Sequence, residues 1–234
     1  MNRILVALDV STAAAATALA DRLRGAVGGF KIGSQLFTSA GPDVVRELVA
    51  RGDRVFLDLK FHDIPNTVAG AVAAAADLGV WMVNVHAAGG AAMLDAARSA
   101  VDKRSGPRPL LIAVTVLTSM DAPTLQAVGV DASPLDQVVR LARVTQSAGV
   151  DGVVASPLEI AAIRGACGPD FVIVTPGIRG KSAAGKDDQQ RTLSAGEAVQ
   201  AGSSYLVIGR PITGHADPRA AAQDIARELA ATST

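Results

Sequence analysis

An apolar run followed by a helical stretch recurs eight times along the chain, and this repetition is the feature that most restricts the fold. The runs are rich in β-branched residues and show no polar–apolar alternation, which is typical of parallel strands covered on both faces. The eight predicted strands are Arg3–Leu8, Gly29–Ile32, Arg54–Leu59, Trp81–His86, Leu110–Leu117, Gly152–Ala155, Phe171–Thr175 and Tyr205–Ile208. Eight parallel strands alternating with helices close most readily into a (β/α)8 TIM barrel of the α/β class.

The segments between these strands carry helix signals. Ser11-Thr12 is a possible N-cap for the first helix, and Gly52 follows the end of a helix that starts near Pro42. The predicted helices are Thr12–Leu23, Pro42–Ala50, Pro65–Leu78, Gly89–Val101, Pro134–Ala148, Pro157–Gly165, Ser194–Ala201 and Pro218–Ala230. A doubly wound open sheet is the alternative, but it usually has fewer strands, and no GxGxxG fingerprint follows the first strand. No linker interrupts the pattern, so we expect residues 1–234 to form one catalytic barrel domain.

Charge and cysteine content exclude several classes of protein. Lys and Arg number 22, as do Asp and Glu, so the formal net charge is zero. A general nucleic-acid or anionic-membrane binder normally has a basic excess, so neither partner is expected. The one cysteine, Cys167, rules out an intrachain disulfide and a cysteine-based zinc site. The apolar run Ile4–Leu8 is too short for a signal sequence, so a cytoplasmic protein is expected.

Polar side chains stand where most of the predicted strands end, and in a barrel these ends form the active-site rim. They fall in Leu8-Asp9, Lys31, Asp58–Asp63, Asn84–His86, Thr115–Thr118, Thr175–Arg179 and Gly209-Arg210. Two connections, 118–133 and 177–192, are longer than a barrel needs. The second is polar and without periodicity, which is typical of lids and ligand-binding loops.

The densest polar stretch predicts proton transfer by a lysine. Residues two apart on a strand face the same side, so Asp58 and Lys60 should both point into the barrel mouth. A lysine there is a candidate proton donor, Schiff-base nucleophile or anion ligand. The adjacent carboxylate favours the protonated amine, which suits delivery of a proton to a carbanion. His62 has the opposite strand parity, and we expect it and His86 to have supporting roles.

The loops after strands seven and eight predict a phosphate site. Gly209-Arg210 should face Gly177-Ile178-Arg179, where barrels often bind phosphate. Glycine lets backbone N–H groups approach the oxygens, and arginine supplies a bidentate fork. The alternative is a surface loop with ordinary arginines.

The segment Asp58-Leu59-Lys60-Phe61-His62-Asp63-Ile64-Pro65-Asn66-Thr67 matches the DxKxxDIPNT signature of the orotidine 5′-phosphate decarboxylase family. The sequence also resembles the shorter bacterial form of this family at Leu8-Asp9, Lys31-Ile32-Gly33, Leu117-Thr118, Thr175-Pro176-Gly177-Ile178-Arg179 and Ile208-Gly209-Arg210. The resemblance spans Asp9 to Arg210. The DxKxxD core is shared with a wider group of sugar-phosphate barrels, whereas the IPNT extension together with Lys31 is more specific.

The resemblance implies a cofactor-independent conversion of orotidine 5′-monophosphate to uridine 5′-monophosphate in pyrimidine biosynthesis. Lys60 would protonate C6 within a charge network of Lys31, Asp58, Lys60 and Asp63. Asp63 and Thr67 would reach the neighbouring subunit's site in a homodimer. Asp9 would contact the ribose and Thr118 the pyrimidine. The implied substrate contacts are Asp9, Lys31, Thr67, Thr118, Pro176, Arg179, Gln189, Gly209 and Arg210. Gln189 is chosen because Asp188-Gln189-Gln190-Arg191 fits the family's DQxR pattern, and the adjacent Gln190 is the alternative.

Two other functions stay open. Related sugar-phosphate barrels such as keto-gulonate-phosphate decarboxylases and hexulose-phosphate synthases share the DxKxxD core, but they bind Mg²⁺ and carry Glu where this chain has Lys31. A lysine there would repel Mg²⁺. The other alternative is a barrel that only binds a ligand, which the many charged rim residues disfavour because they are costly to desolvate without a use.

Overall fold

The computed structural model describes residues 2–178 and 193–231, and these residues form a closed barrel of eight parallel strands. The strands are β1 (Ile4–Ala7), β2 (Gly29–Gly33), β3 (Val55–Phe61), β4 (Met82–His86), β5 (Leu110–Val114), β6 (Gly152–Val154), β7 (Val172–Thr175) and β8 (Tyr205–Ile208). Each strand pairs with its neighbours in sequence, and β8 pairs with β1 to close the barrel. The (β/α)8 prediction is confirmed, and the open doubly wound sheet is wrong.

Helices follow the strands around the barrel. They are α1 (Ala13–Leu23), α2 (Ser34–Ala40), α3 (Asp43–Ala50), α4 (Pro65–Asp77), α5 (Gly90–Asp102), α6 (Ala122–Ala127), α7 (Pro134–Ser147), α8 (Ile160–Cys167), α9 (Ala195–Gln200), α10 (Arg210–Thr213) and α11 (Pro218–Ala231). Thr12 is the N-cap of α1, as predicted, and its side chain accepts a hydrogen bond from Ala15 N (3.2 Å). No described helix combines the length and apolar character that a bilayer span requires.

The structure corrects several predicted boundaries. β5 ends at Val114 instead of Leu117 because the chain then enters a turn closed by Met120 N and Leu117 O (2.9 Å). The predicted helix at 157–165 begins as a 3-10 turn, Pro157–Glu159, before α8. The short helices α2, α6 and α10 were not predicted, since none is longer than seven residues and periodicity is weak over such lengths.

Apolar side chains pack on both sides of the barrel wall, against the helices outside and in the interior of the barrel. On β1, Ile4 and Val6 pack outward with the helices, whereas Leu5 and Ala7 join a separate inner cluster. This alternation follows from the period of two along a strand. The inner cluster also contains Phe56, Met82, Ile112, Val174 and Val207, with Trp81 and Tyr205 packed against it at the amino end. The carboxyl end is thereby left to the polar side chains.

Candidate active site

Four alternating charges line the mouth of the barrel. Lys31 Nζ lies 3.2 Å from Asp9 Oδ1 and 3.5 Å from Asp58 Oδ2. Asp58 Oδ1 in turn accepts a hydrogen bond from Lys60 Nζ (2.6 Å). The order Asp9–Lys31–Asp58–Lys60 follows β1, β2 and β3 around the barrel, and we call these four residues the ion chain. Its two inner members each face two opposite charges.

Burial differs along the ion chain. The side chains of Lys31 and Asp58 are 11% and 12% exposed, whereas those of Lys60 and Asp9 are 35% and 62% exposed. Burial by itself would raise the pKa of the Asp58 carboxyl. The charges of Lys31 and Lys60, with hydrogen bonds from Lys60 and Asn84, outweigh that effect and hold this pKa below its usual range. Asp58 is therefore a stable carboxylate, and Lys60 is the more accessible of the two lysines that pair with it.

An irregularity in β3 brings Asp58 and Lys60 together. Leu57 pairs with Val83, but the next paired residue on β3 is Phe61, which pairs with Val85, so β3 has two extra residues at this point. Lys60 has φ 54° and is the only non-glycine residue with positive φ in the described parts of the chain. The prediction that the two side chains share the mouth is confirmed, but regular strand alternation is not the whole reason.

Two histidines stand beside the ion chain. The rings of His62 and His86 have centroids 5.4 Å apart. Burial lowers the pKa of His86, and the nearby His62 and Lys60 lower it further, against an opposite effect from Asp58. His86 is thus held neutral at physiological pH, and it adds no positive charge next to Lys60.

Asp63 and Thr67 lie outside the ion chain of their own subunit. Both residues are exposed, and Asp63 accepts a hydrogen bond from Ile64 N (2.6 Å). Within residues 2–178 and 193–231, Asp63 pairs with neither lysine. Ile64, which lies between Asp63 and Thr67 in the sequence, is 67% exposed, an unusual exposure for a large apolar side chain. Their predicted action in a neighbouring site stays a prediction.

The predicted phosphate and pyrimidine residues that the structure describes follow the carboxyl ends of β5, β7 and β8, at the same end of the barrel as the ion chain. Gly209 follows β8 next to the end of β1, so close that a Cβ atom there would lie 3.8 Å from Asp9 Oδ2. Arg210 is exposed and begins α10, Pro176 is half-buried after β7, and Thr118 is half-buried in the connection after β5. Arg179 and Gln189 lie outside the described residues.

Sequence reasoning placed Asn84 among the polar rim residues without giving it a role, and it did not name Ser156. Ser156 lies two residues after the end of β6, is fully buried, and has a hydroxyl oxygen without a hydrogen-bond partner among the described residues. Asn84 is fully buried on β4 and donates a hydrogen bond from Nδ2 to Asp58 Oδ1 (2.6 Å). Asn84 lies within the apolar run of β4 and Ser156 follows that of β6, and uncharged side chains in or beside apolar runs are easily read as core.

The described residues contain no group of three His, Cys, Asp or Glu side chains arranged to hold a metal ion. At the mouth, the oxygens of Asp58 are already directed at Lys31, Lys60 and Asn84. The arrangement suits an anionic ligand, with Lys60 as the accessible cation.

Comparison with known proteins gives consistent matches over nearly the whole chain. The model of the orotidine 5′-phosphate decarboxylase / HUMPS family matches residues 2–225. The orotidine 5′-phosphate decarboxylase of Moorella thermoacetica is 55% identical over 233 residues, covering 97% of this chain and 92% of that protein. The enzyme of the same name from Chromohalobacter salexigens is 56% identical, with 97% and 95% covered. The crystal structure of orotidine 5′-phosphate decarboxylase from Lactobacillus acidophilus superposes with a TM-score of 0.87 at 36% identity, with 98% and 99% covered.

Proposed function

The chain belongs to the orotidine 5′-phosphate decarboxylase / HUMPS family, and from this premise we propose how its barrel mouth works. The reaction is the decarboxylation of orotidine 5′-monophosphate to uridine 5′-monophosphate in pyrimidine biosynthesis. We propose that Lys60 is the proton donor to C6 of the pyrimidine ring. The observation that carries this proposal is the ion chain, in which Lys60 is paired with a buried carboxylate and yet accessible.

The difference in burial separates the two lysines. Lys31 is 11% exposed and lies between two carboxylates, so its role in the proposal is to keep Asp58 charged and in position. Lys60 is 35% exposed and is available to a substrate in the mouth. Because Asp58 balances its charge, Lys60 suits acid chemistry better than Schiff-base formation.

The proposed step balances without an electron sink. The bond between C6 and the carboxyl carbon breaks, CO2 leaves, and the electron pair stays on C6. A proton from the Lys60 ammonium forms the new C6–H bond, and the neutral amine regains a proton from water. The carbanion is stabilised by a cation already fixed in place, so the scheme requires no cofactor.

The test follows the loss of pyrimidine absorbance when orotidine 5′-monophosphate is added to protein treated with a chelator. Wild type and the control Lys103→Ala, which alters an exposed lysine at the end of α5, should turn over substrate. Lys60→Ala should form no product and still bind uridine 5′-monophosphate. Near-normal turnover by Lys60→Ala would remove Lys60 from the mechanism. Activity that needs Mg²⁺ and a sugar phosphate would instead support the related sugar-phosphate enzymes.

Binding of the base and the phosphate is proposed for the loops that follow β5 to β8. Thr118 and Ser156 would hydrogen-bond the base, and Ser156 is suited to this because its buried hydroxyl has unused capacity among the described residues. Pro176, Arg179, Gln189, Gly209 and Arg210 would surround the phosphate, and Asp9 would meet the ribose.

Arg210 offers a direct test of the phosphate assignment. Arg210→Ala should raise KM for the nucleotide and lower kcat/KM, and it should barely affect a substrate that lacks the phosphate. Added phosphite should activate the wild type on that truncated substrate more than the variant. Equal activation of both proteins would show that the dianion is held elsewhere.

A homodimer with shared sites is proposed for the exposed segment that contains Asp63, Ile64 and Thr67. Support comes from the exposure of these residues directly beside the mouth. Lys60→Ala and Asp63→Ala proteins, each inactive alone, should regain roughly a quarter of wild-type activity after random subunit exchange, since half of the dimers then contain one intact site. No recovery after verified exchange would show that Asp63 acts within its own subunit.

We also propose that residues 1–234 act as one catalytic domain in the cytoplasm, without nucleic-acid or membrane partners. The balanced charge supports the lack of polyanionic partners, and the single cysteine, a buried thiol, suits a reducing compartment. Fractionation of cells that express a tagged chain would test the location.

A further inference from the structure

A buried carboxamide joins the side chain of Asp58 to the backbone of Lys60. Asn84 Nδ2 donates to Asp58 Oδ1 (2.6 Å), and Asn84 Oδ1 accepts from Lys60 N (2.8 Å). The orientation of the amide is fixed by its partners, because a carboxylate only accepts and a backbone N–H only donates. Asn84 is 0% exposed, and among the described residues these two hydrogen bonds hold its polar end.

The same contact supports the unusual backbone of Lys60. The pairing of β3 with β4 is interrupted between Leu57 and Phe61, so the Lys60 N–H has no strand partner. Its φ of 54° is also costly for a residue with a side chain. The Asn84 oxygen replaces the missing strand acceptor and stabilises the conformation from which the Lys60 side chain reaches Asp58.

Resting on the proposed function, we propose that Asn84 is a positioning residue for proton transfer, which holds Asp58 and the Lys60 backbone in one arrangement before and after Lys60 gives up its proton. Asp58 Oδ1 accepts from both Lys60 Nζ and Asn84 Nδ2 at 2.6 Å. When Lys60 becomes neutral, the Asn84 donor stays unchanged. The carboxylate then needs no rearrangement during the step, and preorganisation of this kind lowers a barrier.

Two variants separate this role from simple packing. Asn84→Ala removes both contacts, and Asn84→Asp keeps the acceptor for Lys60 N while removing the donor to Asp58. The control is Thr145→Ala, which removes a fully buried hydroxyl that donates to Leu141 O (2.8 Å) within helix α7, away from the barrel mouth. Each protein is assayed for kcat and KM with orotidine 5′-monophosphate, for melting temperature and for the dependence of kcat on pH.

Asn84→Ala should lower kcat about 10- to 100-fold, the effect of losing a hydrogen bond to a charged group. Its KM should stay within about threefold of wild type because the loops proposed to bind the phosphate are remote from Asn84. Thr145→Ala should lower the melting temperature and leave kcat unchanged.

Asn84→Asp has a distinct pH signature. The introduced carboxyl would face Asp58 and Lys60 of β3, Lys31 of β2 and His86 of β4, while the β5 strand Leu110–Val114 brings no titratable group. Two carboxyls in contact share a proton. The protonated form restores the donor, so kcat of this variant should rise as the pH falls, whereas wild-type kcat should not.

The proposal is overturned if both Asn84 variants keep kcat within about threefold of wild type, or if Asn84→Asp has the wild-type pH profile. Asn84→Asp decides the matter should Asn84→Ala fail to fold. Failure of the proposed function would show separately, as an inactive wild type or an active Lys60→Ala protein.

Discussion

The coupling between Lys31 and Asp58 gives a stability prediction that can be worked from the structure. Their charged atoms are 3.5 Å apart, and both side chains are nearly nine-tenths buried. At an effective dielectric constant of about 20, two unit charges at this distance attract by about 5 kcal/mol before desolvation is counted. Asp58 keeps Lys60 and Asn84 when Lys31 is replaced, so the net effect is smaller. We expect Lys31→Met to lower the free energy of unfolding by about 3 kcal/mol.

A double-mutant cycle isolates the pair. Lys31→Met, Asp58→Asn and the double variant are unfolded in urea at one protein concentration, since the stability of the proposed dimer would depend on concentration. The single tryptophan, Trp81, lies at the opposite end of the barrel and reports unfolding without touching the mutated site. The expected coupling energy is about 2 kcal/mol.

The same cycle on Asp58 and Lys60 provides the comparison. Their atoms are closer, at 2.6 Å, but Lys60 is 35% exposed. Salt should therefore weaken the Lys60 coupling more than the Lys31 coupling. A Lys31–Asp58 coupling below about 0.5 kcal/mol, the usual limit of additivity, would refute the reasoning from burial, as would equal salt dependence of the two pairs.

Three further predictions concern titration, thiol reactivity and the amino end of the barrel. The fold lowers the pKa of Asp58, so its ionised form stabilises the protein at pH values above the unfolded pKa of about 4. In urea titrations, the stability that wild type has over Asp58→Asn should be lost as the pH falls below about 4 toward the lowered pKa. A stability difference that does not change with pH would contradict this prediction. Burial raises the pKa of Cys167, so a disulfide reagent should label it slowly until urea unfolds the chain, and rapid labelling of the native protein would be inconsistent with this environment. Arg164 donates to backbone carbonyls of Gly168 (3.0 Å), Pro169 (2.9 Å) and Gly202 (2.9 Å). Arg164→Lys should lower the free energy of unfolding by about 3 kcal/mol and leave kcat unchanged. A loss of kcat without a loss of stability would contradict a purely structural role.

The barrel could be predicted from the sequence because its signals are repeated and local. Each strand is a short apolar run, and each long helix has a proline, a cap residue or a terminal glycine, as Thr12 and Pro65 illustrate. The meeting of Asp9, Lys31, Asp58 and Lys60 also followed, since the carboxyl ends of all strands in a parallel barrel form one rim.

The details that tune the site could not be predicted in this way. The extra residues in β3 and the positive φ of Lys60 depend on pairing with β4, and no local pattern encodes them. Asn84 is a single polar residue within an apolar run. Its importance depends on hydrogen bonds with Lys60 and Asp58, which lie 24 and 26 positions away in the sequence. Ser156 was overlooked for the same reason.

The ion chain occupies adjoining strands, and this has a consequence for how such a barrel can change. Asp9, Lys31, Asp58, Lys60 and Asn84 all come from β1 to β4, whereas the loops proposed to recognise base and phosphate follow β5 to β8. One half of the barrel thus holds the ion chain as a contiguous block, and the other half carries the loops proposed to contact the base and the phosphate. Exchange of the loops after β5 to β8 between relatives should therefore change which base or phosphate-bearing group is accepted, and it should leave the hydrogen bonds of Lys60 with Asp58 and Asn84 in place.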